Sequence, residues 1–318
     1  MTSVSHPPLR TSDAFEAVFE RHRSALLRYC YRMLGSSADA DDAVQETMVR
    51  AWRGLDAFEG RAPVEAWLYR IATNVCLNLL RGRRRRALPM DLASPSAPSA
   101  VLGPELSSEV WVDPFADTGE DHGADPADAA ARRESVRLAF VAALQHLPPR
   151  QRAVLILRDV LRWRTGEVAE LTGMTQVSVK SALQRARATL SSHPPAAGGP
   201  VDQELLDRYV DAFGRYDMDA LVRLLRDDAV LTMPPLEFWV AGAAAIGTLW
   251  TRLAEECHGG SQFRTIAVSG TMGFVQFLPP SPGAIPEPFA VHVLEAIDGA
   301  ISAIHVFRDP VIAARLAG

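Results

Sequence analysis

The sequence predicts a multidomain chain in which two all-α blocks are joined by an acidic linker and followed by an α+β block. Three observations predict it. The first is charge. The formal net charge is -5 over 318 residues, but it is strongly segmented. Residues 1–90 carry 14 Arg against 10 acids, 91–130 carry nine acids and no base, 131–193 carry 11 bases against four acids, and 194–318 carry eight against 15. The second is texture. The Pro-, Ser- and acid-rich run 91–130 and the stretch "SSHPPAAGGP" from Ser191 have the composition of linkers and domain boundaries. The third is period: apolar spacing is helical through most of the chain and turns strand-like after the helix that ends near Cys257.

In the first block, "DAFEAVFERHRSALLRYCYRML" sets Phe15, Val18, Phe19, Leu26, Leu27 and Met33 at helical spacing, and Gly35 ends it. "SSADADDAVQETMVRAW" restarts a helix after a Ser/Asp cap. A third helix, "GRAPVEAWLYRIATNVCLNLLRGRRRR", has Pro63 suited to its first turn. Its buried stripe is expected at Trp67, Ile71, Val75 and Leu79, with Arg70, Asn74, Asn78 and Arg81 recurring on another face. Asn can bond adenine in two places and Arg can bond guanine or grip a phosphate, so this face suits nucleic acid, and Arg83 to Arg86 extend its charge.

The segment 91–130 reads as a flexible, mostly disordered linker. Helices resume near Ala130 and run to Leu190. There "TGEVAELTG" ends at Gly173, and Thr175 can cap the next helix, which gives a helix-turn-helix pattern. At 100° per residue Val179, Leu183, Ala186 and Leu190 share one face. Ser181, Gln184 and Arg185 lie opposite, flanked by Lys180 and Arg187, with no acid to repel phosphate. The last block opens with a helix pair from Asp202, adds "MPPLEFWVAG" and a further helix, and closes on β-like runs. Two apolar arms flank Asp298-Gly299, the dipeptide favoured in a two-residue hairpin turn.

No apolar run approaches the ~18 residues of a membrane span, and the N-terminus lacks a secretion pattern. Cys30, Cys76 and Cys257 are too scattered for a disulfide framework or a zinc site, which makes the cytoplasm the expected compartment. No metal or cofactor motif is present, so none is expected.

"DADDAVQETMVRAW", "FEGRAPVEAWLYRIATNVCLNLLR" and "LPPRQRAVLILRDVLRWRTGEVAELTGMTQVSVKSALQRARATL" together resemble the σ2 and σ4 domains of extracytoplasmic-function (ECF) sigma factors. The resemblance implies a σ2 domain at 10–90, the linker at 91–130 and a σ4 helix-turn-helix domain at 131–193. It implies core RNA polymerase and promoter DNA as partners. Asp42, Gln45, Glu46 and Arg50 would dock on the β′ clamp helices, and σ4 on the β flap. Phe58, Glu59, Gly60 and Arg61 would capture a flipped base at the −10 element, held there by Arg70, Asn74, Asn78 and Arg81. Lys180, Ser181, Gln184, Arg185 and Arg187 would meet the −35 element.

After a short linker at 194–201, residues 202–318 resemble a SnoaL-like cone-shaped α+β domain, as in tail-bearing sigma factors of the SigG/SigJ-like group. "WVDPFAD" from Trp111 resembles the linker motif of such proteins and is expected to dock on the tail. Trp239, His292 and His305 are the candidates for a tail pocket holding a small ligand; Asp217 and Glu237 are further lining candidates, and the alternative for Trp239, Phe238 and Phe274 is that they simply fill the cone. Scattered His and acid residues without a fixed motif do not make a catalytic set, so the tail is expected to act on its own chain rather than as an enzyme. Two readings stay open here. One is a sigma factor modulated by its tail. The other is a ligand-responsive DNA-binding regulator, or a SnoaL-like enzyme fused to a DNA-binding module.

Overall fold

The computed structural model describes residues 12–60, 62–116, 126–254, 260–281 and 283–318; Arg61, Cys257 and linker positions 117–125 lie outside it. In chain order the helices are α1 (Ser12–Leu34), α2 (Ser37–Gly54), α3 (Val64–Leu79), α4 (Pro126–Glu134), α5 (Leu138–Gln145), α6 (Pro149–Leu155), α7 (Thr165–Thr172), α8 (Gln176–Ser192), α9 (Gln203–Gly214), α10 (Met218–Arg223), α11 (Ala243–Ala254) and α12 (Pro310–Ala317). The strands are β1 (Gly199–Pro200), β2 (Leu225–Thr232), β3 (Trp239–Ala241), β4 (Gln262–Val268), β5 (Thr271–Leu278), β6 (Glu287–Ile297) and β7 (Ala300–Phe307). The chain forms two compact units, 1–85 with 143–194 and 86–142 with 195–318, so that the division falls inside α5.

In the first unit α1, α2 and α3 bundle around Phe15, Phe19, Leu26, Cys30 and Met33, all buried. Ser36 caps α2 by accepting from Asp39 N–H at 3.3 Å. The buried arc of α3 differs from the expected stripe. Leu68, Tyr69, Ala72, Thr73, Val75 and Cys76 are buried, whereas Trp67, Ile71 and Leu79 are only half-buried. The reason is that α3 is covered on two sides, by α1 and α2 and also by α6 and α7. Tyr69 marks the seam, with its ring edge-on to Tyr29 at 5.1 Å and to Trp163 at 5.1 Å. Arg152, 3% exposed, ties α6 to the end of α1: it donates to Met33 O, to the Gln145 side chain, and to Gln145 O and Leu147 O at 3.1 Å each. Burial lowers its pKa to about 10, which still leaves it charged. Gly173 closes α7 at φ 66°, a conformation that costs a side-chain-bearing residue free energy. Thr175 then caps α8 by accepting from Ser178 N–H at 3.1 Å.

The second unit is built on one sheet of order β3-β2-β7-β6-β5-β4, with β1 pairing to β6 off this path. Only β2–β7 is parallel; the other pairs are antiparallel. Asp298 and Gly299 both take positive φ and close the β6–β7 hairpin. One sheet face, with Leu231, Phe274, Leu294 and Ile304, packs against Leu206, Tyr209, Ile246 and Trp250 of the helices. The alternate residues of β6 are buried as well, because α12 packs against β6. A strand buried on both faces reads as a continuous apolar run, as this one does.

The expected flexible linker is ordered from residue 86 to 116 and laid against the tail. Arg86, read from sequence as extending the positive nucleic-acid face of α3, is instead buried and donates to Ser108 O at 2.6 Å and Trp111 O at 2.8 Å. Ser96 N–H donates to Trp239 O, Leu106 N–H to Pro235 O, and the Trp239 indole N–H to Ala93 O, at 2.7, 2.9 and 2.9 Å. Phe115 and Ser269 bond reciprocally, N–H to Oγ at 3.0 Å and N–H to O at 2.7 Å. Composition suggested disorder because low hydrophobicity usually leaves nothing to bury. Here a few buried side chains, Trp111, Val112 and Phe115, together with backbone pairing, suffice.

Candidate nucleic-acid interface

On α8, Lys180, Gln184, Arg185 and Arg187 are exposed and Ser181 is half-buried, while Val179, Ala182, Leu183 and Ala186 are buried. The outward face is therefore the one the helical wheel chose. Arg187 differs from its neighbours. It grips Asp159 through two bonds, Nε to Oδ2 at 2.9 Å and Nη2 to Oδ1 at 2.7 Å. That bidentate hydrogen bond raises its pKa further, so it is a permanent cation already committed to a carboxylate.

On α3, Arg70, Asn74 and Asn78 are exposed along one face, and Arg81 is exposed just beyond its end. Phe58 is half-buried and stacks on Trp67, with ring centroids 4.6 Å apart and planes at 28°. Glu59 and Gly60 are exposed beside it, Gly60 at φ 68°. A space of about 900 Å³ opens here, bounded by Phe58, Glu59 and Arg70 on one side and by Arg162, Arg164 and Glu167 on the other. Of the arginine run after α3, Arg83 pairs with Asp39 at 2.7 Å. On α2, Asp42, Gln45, Glu46 and Arg50 are all exposed, and Glu46–Arg50 pair at 2.6 Å. Val49 and Trp52, 42% and 46% exposed, add apolar surface to the same helix.

Sigma-70 region 2 matches residues 18–86, sigma-70 region 4 matches 137–190, and a SnoaL-like domain matches 206–304. Over 307 residues the chain is 44% identical to the ECF RNA polymerase sigma factor SigG of Mycobacterium tuberculosis, covering 93% of this chain and 81% of that protein. The chain belongs to the ECF sigma factor family.

ECF sigma factor SigJ of the same organism is 30% identical over 217 residues, 67% of this chain and 63% of that one. Its crystal structure shares the fold, with a TM-score of 0.64 over 93% of this chain and 97% of the other, at 24% identity. Sigma factors bind core RNA polymerase and promoter DNA.

The three tail candidates do not converge. His292 is on the inner sheet face, stacked on Phe274 at 4.3 Å, with Nε2 3.1 Å from Gln276 Oε1. His305 is one residue out of register with the inner-face residues Ile304 and Val306, so it points to the other face, where it meets Thr232 Oγ1 at 2.9 Å. Trp239 holds the linker. Burial lowers both histidines, to about 3 for His292 and about 4 for His305, so both are neutral near pH 7. Asp217 caps α10 instead, accepting from Ala220 N–H at 2.9 Å. Among the described residues no group of three or more His, Cys, Asp or Glu is placed to hold a metal ion.

Sequence reasoning missed Asp159 and Arg137, and it put Arg86 on the positive face rather than in the linker. Arg137, at the head of the region 4 match, forms a buried ion pair with Glu295 of β6 at 2.8 Å and donates to Gly198 O at 2.5 Å. Burial raises the Glu295 carboxyl above its ordinary value and the guanidinium partly reverses this. No local pattern announces such a pair, since its members are far apart in the chain.

Proposed function

We propose that this ECF sigma factor reads two promoter elements with the surfaces described and that its tail modulates initiation through the linker. In this reading residues 10–90 form the domain for polymerase binding, −10 recognition and melting, 91–130 the linker, 131–193 the −35 reader and 202–318 the modulator. Lys180, Ser181, Gln184 and Arg185 meet −35 base edges and phosphates, joined by Arg187 once it leaves Asp159. Phe58, Glu59, Gly60 and Arg61 take a base flipped from the duplex, and Arg70, Asn74, Asn78 and Arg81 hold the strand beside it. Asp42, Gln45, Glu46 and Arg50 dock α2 on the β′ clamp helices, region 4 docks on the β flap, and the protein works in the cytoplasm.

One observation carries the role of the tail. The linker, at Ala93, Ser96, Leu106 and Phe115, and the head of region 4, at Arg137, are both bonded to the tail domain. A linker held at these points is not free to follow the two promoter-reading domains onto DNA. Lengthening or releasing it changes the span those domains can reach.

The test is promoter-specific transcription with core polymerase, comparing the full chain, a chain ending at Ser192, and full-length Lys180→Ala/Arg185→Ala. The reading expects both wild-type forms to initiate at different rates and the double variant to lose promoter-specific product. Equal rates with and without the tail would remove the modulator role. Failure of both forms to bind core would remove the assigned surfaces altogether.

A further inference from the structure

The outward face of α8 carries one large apolar side chain. Val177 is 75% exposed, and among the exposed large apolar side chains of the described residues it alone lies on α8. At about 100° per residue it shares a strip about 60° wide with Ser181 and Gln184, opposite the buried Val179, Leu183 and Ala186. Burial therefore does not account for it. A valine this open adds little to the stability of the fold, and its branched Cβ makes it a poorer helix former than alanine. A lone apolar side chain on a surface needs no explanation in general. This one stands in the middle of a face otherwise made of hydrogen-bonding and cationic groups, Lys180, Ser181, Gln184 and Arg185.

Its place along the helix is as informative as its direction. Val177 lies in the first turn of α8, just after the cap, where Thr175 Oγ1 accepts from Ser178 N–H at 3.1 Å and lies 2.9 Å from Ser178 Oγ. The cap fixes the backbone, and a β-branched side chain in a helix holds essentially one rotamer. Val177 can therefore be placed against a partner with little loss of entropy. In a helix-turn-helix the N-terminal residues of the second helix are the ones brought to base edges in the major groove. Those edges offer one apolar group, the C5-methyl of thymine; the rest are hydrogen-bond donors and acceptors that valine can only leave unpaired. From Val177 to Gln184 the helix rises about 10 Å, about three base-pair steps, so the two side chains address different bases.

We propose that Val177 reads the C5-methyl group of a thymine in the −35 element, which makes it a specificity residue beside the polar ones. This rests on α8 facing that element, and the experiment tests the two separately. Core polymerase loaded with the full chain would first select duplexes randomised across both promoter elements. The selected duplex would then be titrated with each −35 thymine replaced in turn by deoxyuridine, which keeps every hydrogen-bonding group and removes only the methyl. At one thymine the wild-type holoenzyme is expected to lose about fourfold in affinity, the worth of one buried methyl. Val177→Ala, which favours the helix, should bind the thymine duplex about fourfold more weakly and should not distinguish it from the deoxyuridine duplex. Lys180→Ala/Arg185→Ala is the control for the face as a whole. If that double variant binds like the wild type, or no −35 sequence is enriched, α8 does not read the element and the valine assignment falls with it. If the double variant fails to bind while the wild type is indifferent to every deoxyuridine, or Val177→Ala keeps the same preference for thymine, only the valine assignment is overturned.

Discussion

Arg187 and Asp159 neutralise each other on the surface that should meet phosphate. A phosphate must therefore displace a bidentate carboxylate before it gains this arginine. Asp159→Ala is expected to tighten binding to a −35 duplex about threefold at low salt and to steepen the salt dependence by about one phosphate contact. Titration of a labelled duplex at several salt concentrations would check both, and an unchanged slope would mean that Arg187 never reaches the backbone. His292 gives a second prediction at this scale. In the unfolded chain the imidazole binds a proton below about pH 6.5, whereas in the fold it stays neutral down to about 3. The unfolded state therefore binds more protons in that window, and stability falls as pH drops, by about 1.4 kcal/mol per unit once well below 6.5. His292→Phe should remove this component, which is read as the difference between wild-type and variant unfolding curves from pH 7 to 5. The exposed face of α8 was legible residue by residue because helical spacing alone sets it. Asp159 and the Gln276 bond of His292 were not, because each depends on a partner outside its own helix or strand.

At the scale of elements, buried cations do unusual work for backbone ends. Arg152 satisfies carbonyls of the α1 terminus and the α5–α6 connection, so Arg152→Met is expected to destabilise the first unit by about 3 kcal/mol, measured by urea unfolding. Gly270 shows the opposite device, a missing side chain. It sits at φ 72° in the β4–β5 turn, and a Cβ there would stand 2.1 Å from Arg133 O at the end of α4. Gly270→Ala should push α4 off the turn and increase hydrogen exchange in α4 and the Phe115–Ser269 pairing. The helices and the Asp298-Gly299 hairpin were readable in sequence because caps and turn dipeptides are local. The buried arc of α3 was misjudged, because covering a helix from two sides widens the arc beyond what a single stripe predicts.

For the whole molecule the informative segment is the one composition described least well. Residues 86–116 look like a solvated tether and are instead held along the tail by Phe115 and main-chain pairing, with Trp111 buried. Trp111→Ala/Phe115→Ala should leave the tail folded while making the linker far more sensitive to limited proteolysis, and should shift initiation in the same direction as ending the chain at Ser192. An effect of truncation without an effect of the double variant would place modulation elsewhere in the tail.

The order in which the linker's partners are made also sets a clock. Phe115 leaves the ribosome long before Ser269, its hydrogen-bond partner. At about 5–20 residues per second the intervening chain takes on the order of ten to thirty seconds to synthesise. For roughly the second half of that interval, once residue 190 has been made, both promoter-reading domains exist while Phe115 still lacks its partner. Each new molecule therefore passes through an untethered youth before its own C-terminus arrives to fasten it.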